Sequence, residues 1–559
     1  MVKFQRQLNR LSQIFSSFKI ILGLPLSDEL EDQLSNAHNS LIGKQFYASF
    51  RAESAKILGT LRQELESNTC KEIDDSVGLS DFQIRLGFQQ KLILKTLYSL
   101  NLKKAIAYST LTGNNIIFPI SKNVRHDFTE SIGLQFNRFG CAVTYFFLVF
   151  LFFLNSSRKL LFSLFRFRNL QNSTEIINGA KMVYLHNFPI ETFPNLNYPS
   201  HNFAEWLISK SSENLVIFHN NEHFKLENHP NIRMSFRFAP TLICEVPLFY
   251  RLSAFFKLSF FLCVNLKNVI ILISILTQMD EVYTSILLSK KRKFFRAEQI
   301  IFPNSVSVQR PLWSFVLERR SCQIVFAHYS ASAEPSKAFG FDLCDGIWHL
   351  STWSKSWVVD DIQIEYAKKM SANYSQEFEV VGVPYWSGQI MNELPKGNIF
   401  IVSVFDTYIR ANQAFSANII DDLGWNNFDL ERLFISEILG TTKSADMTII
   451  HKRKRPIKDR NSSKRQVNNL SLLSRYGKSY FVIDESFSAE SVVDLSHLVI
   501  VKPISTVAFI AKERAKPVIF FDPTGNLEKG DPMLRGIPLA SNTKELHDLI
   551  FSIYNEVKI

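Results

Sequence analysis

The chain has 559 residues, 46% hydrophobic and 21% charged, which excludes a disulfide-stapled mini-protein, a disordered chain and a fibrous repeat. At about 150 residues per domain this length predicts more than one folding unit. Lys and Arg number 63 against 52 Asp and Glu, a net charge of +11, so an anionic partner or surface is expected. The excess is concentrated: between His451 and Arg465 eight basic residues meet one acid, Asp459, and this stretch carries +7 of the +11. The six cysteines, Cys70, Cys141, Cys244, Cys263, Cys322 and Cys344, have no regular spacing. Neither a disulfide framework nor a metal site is expected, and a reducing cytoplasmic setting fits best. Residues 1–22 carry early cations but interrupt their apolar residues with Gln, Asn and Ser, so no secretion signal is expected.

Residues 1–178 read as mainly helical. From Ser80 to Leu100 the apolar residues Phe82, Ile84, Leu86, Phe88, Leu92 and Leu94 recur without strand punctuation. Cys141 to Leu154 is almost wholly apolar and is followed by Arg158, Lys159, Arg166 and Arg168. As a helix it covers roughly 21 Å, short of the roughly 30 Å hydrocarbon core. The segment near 141–168 therefore reads as an interfacial helix on an anionic membrane, with a buried core helix as the alternative. Leu258 to Met279 is also apolar, but Asn265, Lys267 and Asn268 are costly in a bilayer, so a packed or surface-lying helix is expected. The cluster Lys290 to Lys293 that follows suits a solvated face or a lipid contact.

From about residue 180 the texture changes to short apolar runs separated by helix-length segments. Met182–His186, Leu215–His219, Gln299–Phe302, Gln323–Ala327, Gly346–Leu350 and Phe378–Val383 are the expected strands of a first series. After the Pro395-Lys396-Gly397 linker a second series has Ile399–Phe405, Met447–Ile450, Tyr480–Ile483, Leu498–Val501 and Val518–Phe521. Such runs, apolar without alternation, suit strands buried on both faces of parallel sheets. Two successive α/β halves are the simplest architecture.

Ligands of open parallel sheets bind beyond the carboxyl ends of the strands. In the second series those positions hold Asp406; His451, Lys452, Lys454 and Arg455; Lys502, Ser505 and Thr506; and Asp522 with Gly525. Ser505 or Thr506 can cap the helix through Val507 to Ala511, whose free first-turn N–H groups suit a diphosphate. A plain helix cap and a solvated basic loop are the structural alternatives. In the first series His328 and Glu334 are the candidates for a general base, a structural histidine being the other reading. Nucleic acid is disfavoured, because the basic stretch lacks interleaved aromatics. No P-loop, Gly-x-Gly-x-x-Gly or His-Glu-x-x-His sequence points to nucleotide hydrolysis, dinucleotide chemistry or zinc proteolysis.

The run Val501 to Ala511, followed by Lys516 to Gly525, resembles the signature of the bacterial polysaccharide biosynthesis PFTS-motif proteins. The Pro-Phe-Thr-Ser tetrapeptide reads Pro503-Ile504-Ser505-Thr506 here. Phe405-Asp406, the Lys452 to Arg455 run and the aromatic stretch Trp348 to Trp357 extend the resemblance over roughly residues 320–540. It implies an α/β fold with two Rossmann-like domains facing a cleft, as in GT-B glycosyltransferases. Residues 179–394 would be the acceptor domain and 395–559 the nucleotide-sugar donor domain, preceded by the helical 1–178.

The resemblance further implies sugar transfer from a nucleotide sugar, a co-substrate rather than a resident cofactor, to a lipid-linked or glycan acceptor in capsule, O-antigen or related synthesis. No bound metal is expected, since a helix dipole and cations can stabilise the departing diphosphate. Lys452, Lys454, Arg455, Lys502, Ser505 and Thr506 would contact phosphate; Asp522 and Gly525 would shape the pocket; Asp406 would bind the donor or simply cap a turn, and His451 completes the donor rim. Many GT-B enzymes hold the ribose with a Glu where this chain has Ile510, and Glu513 lies three residues on. The expected location is cytoplasmic, peripheral at the inner face of the plasma membrane. The competing functions are a cytidine-nucleotide-dependent phospho-alditol transferase and a non-catalytic scaffold of a polysaccharide-synthesis complex.

Overall fold

The computed structural model describes residues 16–558, apart from 18, 23, 25, 44, 68–77, 98–99, 166–179, 189–202, 220–231, 235–246, 291–296, 304–308, 329–335, 344–345, 371–375, 385–390, 392–399, 407–422, 424, 426–427, 444–445, 454–478, 484–485 and 504.

The N-terminal region is helical: α1 (Asp28–Gly43), α2 (Phe46–Ser67), α3 (Asp81–Thr96), α4 (Leu100–Thr112), α5 (Lys122–Ile132) and α6 (Arg138–Phe165). A capping box sets the start of α3. Ser80 Oγ accepts from the Gln83 N–H at 3.3 Å, and Gln83 Oε1 accepts from the Ser80 N–H at 2.9 Å. Helix α6 has 28 residues, about 42 Å at 1.5 Å per residue. The expectation of a short helix near 141–154 is therefore corrected: by length and composition α6 could cross a membrane. One of its faces is part of the protein core. Ser156 Oγ donates to Asp280 Oδ1 at 2.6 Å, Lys159 Nζ lies 3.7 Å from Asp280, and Cys141, Leu160 and Leu164 are buried.

The first α/β half runs β1 (Lys181–Leu185), α7 (Phe203–Lys210), β2 (Leu215–His219), β3 (Ile232–Met234), α8 (Leu248–Val264), α9 (Val269–Leu276), α10 (Met279–Lys290), β4 (Gln299–Pro303), α11 (Leu312–Glu318) and β5 (Gln323–Ala327). It continues through the hairpin β6 (Ser336–Ala338) and β7 (Phe341–Leu343) to β8 (Lys355–Val358), α12 (Asp361–Met370) and β9 (Glu377–Val380). The second half comprises β10 (Phe400–Phe405), α13 (Phe428–Thr442), β11 (Met447–Lys452), β12 (Tyr480–Ile483), α14 (Ala489–Leu495), β13 (Leu498–Val501), α15 (Thr506–Glu513), β14 (Val518–Phe521), β15 (Leu539–Ala540) and α16 (Thr543–Lys558).

The strands form two parallel sheets, one of seven strands ordered β3-β2-β1-β4-β5-β8-β9 and one of six ordered β12-β11-β10-β13-β14-β15. Both orders reverse beside their first strand, the doubly wound Rossmann pattern, with switch points between β1 and β4 and between β10 and β13. Alternate residues serve opposite faces. Tyr184, Phe302 and Phe326 face the N-terminal helices and α10–α11, while Val183, Ile301 and Val325 face α7. In the second sheet Val402 and Ile500 pack under α13 and α16, and Ile401 and Val499 pack under α14 and α15.

Several sequence-based boundaries move. Gly346–Leu350, expected as a strand, is a 3₁₀ turn, and the strand is Lys355–Val358. The turn presses on α2 so closely that a Cβ on Gly346 would stand 2.5 Å from Ala55 Cα, and it buries Ile347, Trp348 and Leu350 together instead of alternating them. The apolar stretch 258–279 is a broken element: α8 stops at Val264, and Asn268 Oδ1 accepts from the Ile271 N–H at 3.2 Å to start α9. Helices α9 and α10 then meet at 85°. The polar residues that disfavoured a bilayer span mark the break. Strand β11 runs two residues past its expected end and takes in His451 and Lys452. Strands β3, β6, β7 and β15 have two or three residues each, too few for a periodic signal. The basic cluster after Lys290, the 395–397 linker and residues 1–15 lie outside the described residues.

The N-terminal region shares one core with the first sheet. Arg62 Nη1 donates to Ser351 O and Gln90 Nε2 to Leu350 O, both at 2.8 Å. The two halves meet through α12 and the β6–β7 hairpin. Arg535 grips Asp360 with Nε and Nη2, the latter at 3.0 Å, and its guanidinium lies 4.2 Å from the Phe509 ring centroid. The Lys337 N–H donates to Asp531 Oδ2 at 2.7 Å, and Ala338 bridges to Leu527.

Candidate functional site

The carboxyl edge of the second sheet collects ionisable side chains. Asp406 follows β10 and Lys502 follows β13, so the two flank the switch point, where open α/β sheets bind their ligands. His451, on the neighbouring β11, has Nε2 3.1 Å from Asp406 Oδ2 and Nδ1 2.7 Å from the Tyr480 hydroxyl. Its one-residue offset from Lys452 turns it to the α13 face of the sheet. Glu431, from α13, is hydrogen-bonded to Asp406 and sits in the field of Lys502. Asp406, Glu431, His451 and Lys502 are all buried.

Burial and the Asp406 charge push the Glu431 carboxyl up to about 8, against the pull of Lys502. Glu431 therefore holds a proton at neutral pH. Burial lowers the Lys502 ammonium, opposed by Glu431 and Asp406. Lys502 Nζ donates to Trp425 O at 3.5 Å and lies 5.4 Å from the Phe434 ring centroid. It is turned into this buried network. Trp425 Nε1 continues the chain to Asp522 Oδ1 at 3.0 Å.

Asp522 organises the loop after β14. It accepts from the Thr524, Asn526 and Leu527 N–H groups at 2.9–3.0 Å and from the Thr524 hydroxyl. Gly525 closes the turn at φ +64, where a Cβ would stand 3.3 Å from Ser541 O; the left-handed backbone there favours glycine. Both residues shape the edge from beneath. Ser505 occupies the N-cap of α15, but its hydroxyl makes no cap hydrogen bond. Ser505 and Thr506 are half-buried at the helix start, with the first-turn N–H groups and positive dipole end beside them. Lys452 is buried, and its Nζ donates to Arg453 O at 3.4 Å. Lys454 and Arg455 lie outside the described residues.

In the first half His328 follows β5 and is buried in an aromatic box, stacked on Trp348 at 5.1 Å with Phe326 edge-on at 4.9 Å. Burial pushes its imidazole down to about 3. The ring is neutral and enclosed. His186, at the end of β1 beside the first switch point, is also held down to about 3 by burial among Phe302 and Trp313. Glu334 lies outside the described residues. Ile510 is core, and Glu513 Oε1 accepts from the Val383 N–H at 3.2 Å, a contact between the halves.

The structure thus unites Asp406, His451, Lys502 and Asp522, places Ser505, Thr506 and Gly525 on the same edge, and leaves His328 on the other sheet. Glu431, Tyr480 and Trp425 were not expected there. Tyr480 begins a recognised strand, but Glu431 is one acid on a helix and Trp425 lies in a loop, with no spacing that signals either.

Two Rossmann-like halves, each with a switch-point edge, define a GT-B-like α/β protein. Residues 264–550 match the polysaccharide biosynthesis PFTS motif protein family, just over half the chain, and the protein belongs to that family. No curated protein matches the sequence. Among solved structures, the UDP-GlcNAc 2-epimerase of Methanocaldococcus jannaschii is 13% identical over 66% of this chain and 92% of its own, with a TM-score of 0.35. The wall teichoic acid polymerase TagF, solved with CDPG, is 11% identical over 73% and 89%, with a TM-score of 0.36. The glycosyltransferase SnogD from Streptomyces nogalater is 10% identical over 68% and 95%, with a TM-score of 0.34. These scores are low, and the fold assignment rests on the sheet topology described above.

Proposed function

We propose that the protein is a glycosyltransferase of bacterial surface polysaccharide synthesis. It takes a sugar from a nucleotide sugar at the carboxyl edge of the second sheet and passes it to a lipid-linked or glycan acceptor held by the first half, at the cytoplasmic face of the plasma membrane. The observation that carries this reading is the chain Tyr480–His451–Asp406–Glu431–Lys502 at the second switch point. Buried ionisable groups are costly, so their gathering where such sheets bind ligands marks a functional edge. Family membership supplies the polysaccharide context.

In this reading the α15 N–H groups, with the Ser505 and Thr506 hydroxyls, hold the diphosphate. The dipole end and the basic β11 loop then stabilise the charge that develops as the sugar leaves, without a requirement for a metal. Asp406 and His451 fix the inner wall of the donor pocket, and protonated Glu431 keeps that wall from carrying two adjacent negative charges.

A thermal-shift panel of uridine, guanosine, thymidine and cytidine diphosphates and their sugars tests the proposal. Binding to the folded state stabilises by about 2.7 kcal/mol at a hundredfold excess over Kd. One base should raise the melting temperature selectively, and Asp406→Asn should remove that rise while the protein stays folded. A response to cytidine diphospho-alditols alone would replace sugar transfer by phospho-alditol transfer. No response from folded protein would leave the non-catalytic scaffold.

A further inference from the structure

Helices α6 and α8 each present an apolar face that no described residue covers. On α6 it comprises Phe139, Val143, Phe146, Phe150, Leu154 and Leu161, with Phe139 75% and Phe146 66% exposed. At 100° per residue these positions span an arc of about 80°. On α8 the face is Phe249, Leu252, Phe256, Phe260 and Val264, with Phe260 71% exposed, and exposed Leu266, Val269 and Ile270 extend it past the break. Both helices pack on α10, and α9 touches α6, so the two ridges belong to one helical layer. Soluble surfaces rarely carry contiguous apolar patches beyond a few hundred Å².

The charges beside these ridges indicate what covers them. Residues 138–165 and 247–277 contain no Asp or Glu. Arg138, Arg158 and Lys267 are exposed along their edges. A second copy of the chain on the same face would set these cations against one another, whereas anionic headgroups complement them. A crossing by α6 is opposed by its buried face, which carries the Ser156 and Lys159 contacts to Asp280. We propose that α6 and α8 together seat the protein in the plane of one leaflet of an anionic bilayer, with their phenylalanines in the acyl boundary and their cations at the phosphates. The inference goes beyond the transferase reading and stands without it. Because these helices share the core of the first sheet, the seat holds that half at the lipid surface.

Flotation of the full chain with phosphatidylcholine vesicles, with and without phosphatidylglycerol, provides the test. The paired variants Phe146→Ser with Phe150→Ser, and Phe256→Ser with Phe260→Ser, change exposed positions, and circular dichroism verifies their folding. The wild type should float with anionic vesicles and less with neutral ones, and each variant should bind at least about tenfold more weakly. Three results would overturn the proposal: no flotation of folded wild type, variants that float like the wild type, or a wild-type dimer that these substitutions dissociate without any vesicle binding. None of them bears on nucleotide binding, so the two proposals fail separately.

Discussion

Glu431 is where a single residue shows most about the site. Its carboxyl has an ordinary value of 4.5 and is raised to about 8 in the fold. Between those values the folded chain keeps a proton that the unfolded chain has lost. Stability therefore falls as the pH rises through that window and is independent of this group below it. Glu431→Gln keeps the shape and removes the titration. Urea unfolding from pH 5 to 8.5 should show the wild type losing on the order of 3 kcal/mol more than the variant, with Glu431→Gln the more stable at the alkaline end. Equal slopes would show that Glu431 is ionised in the fold. His186 and His328 act oppositely: depressed from 6.5 to about 3, each contributes stability that is lost as the pH falls below 6.5. The comparison of wild type with variant cancels their effect.

At the scale of elements, the joint between the N-terminal helices and the first sheet rests on one close approach. The 3₁₀ turn Gly346–Leu350 lies against α2, with Gly346 facing the Ala55 backbone, and it delivers Trp348 to the aromatic box around His328. A side chain there has backbone in its way, so one element must move. Gly346→Ala should destabilise by about 1–3 kcal/mol, the usual range for overpacking, and should raise hydrogen exchange in α2 more than in β10–β14. Unchanged exchange in α2 would mean that the turn and helix move together without cost. The break at Asn265–Asn268 works at the same scale. A stretch apolar enough to read as one long helix becomes three short ones because a side-chain cap starts α9.

For the whole molecule, polar contacts add to an apolar junction in which Ala338, Leu343, Val359 and Val383 of the first half share a cluster with Phe509, Ile510 and Leu527 of the second. The Arg535 side chain is buried, pairs with Asp360 across the junction and stacks on Phe509; Glu513 adds its bond to Val383 N–H. Asp360 is about one-third exposed, which moderates the loss when its partner goes. Arg535→Leu should cost about 1–3 kcal/mol and resolve calorimetric unfolding into two transitions, the second half melting first. A single transition at the wild-type temperature would show that the apolar part of the junction suffices.

Fold class and most of the longer strands were legible because a strand buried on both faces is an unbroken apolar run. Nine of the eleven expected strands form, from β1 to β14, although the edge strand β12 leaves Phe481 and Val482 exposed. The tenth and eleventh show the limits of that pattern: Gly346–Leu350 is apolar because it packs as a turn, and Phe378–Val383 loses its last three residues to the junction. The positions after each strand were legible too, and Asp406, His451, Lys502 and Asp522 converge through them. Which of these residues face outward was not, since one residue of register decides whether a side chain enters the core or the edge. Lys502 turns inward and His328 is enclosed for that reason. Glu431, Trp425 and the second ridge on α8 became visible only in three dimensions. A site drawn from a helix and distant loops, and a surface defined by what fails to cover it, depend on contacts that no local pattern encodes.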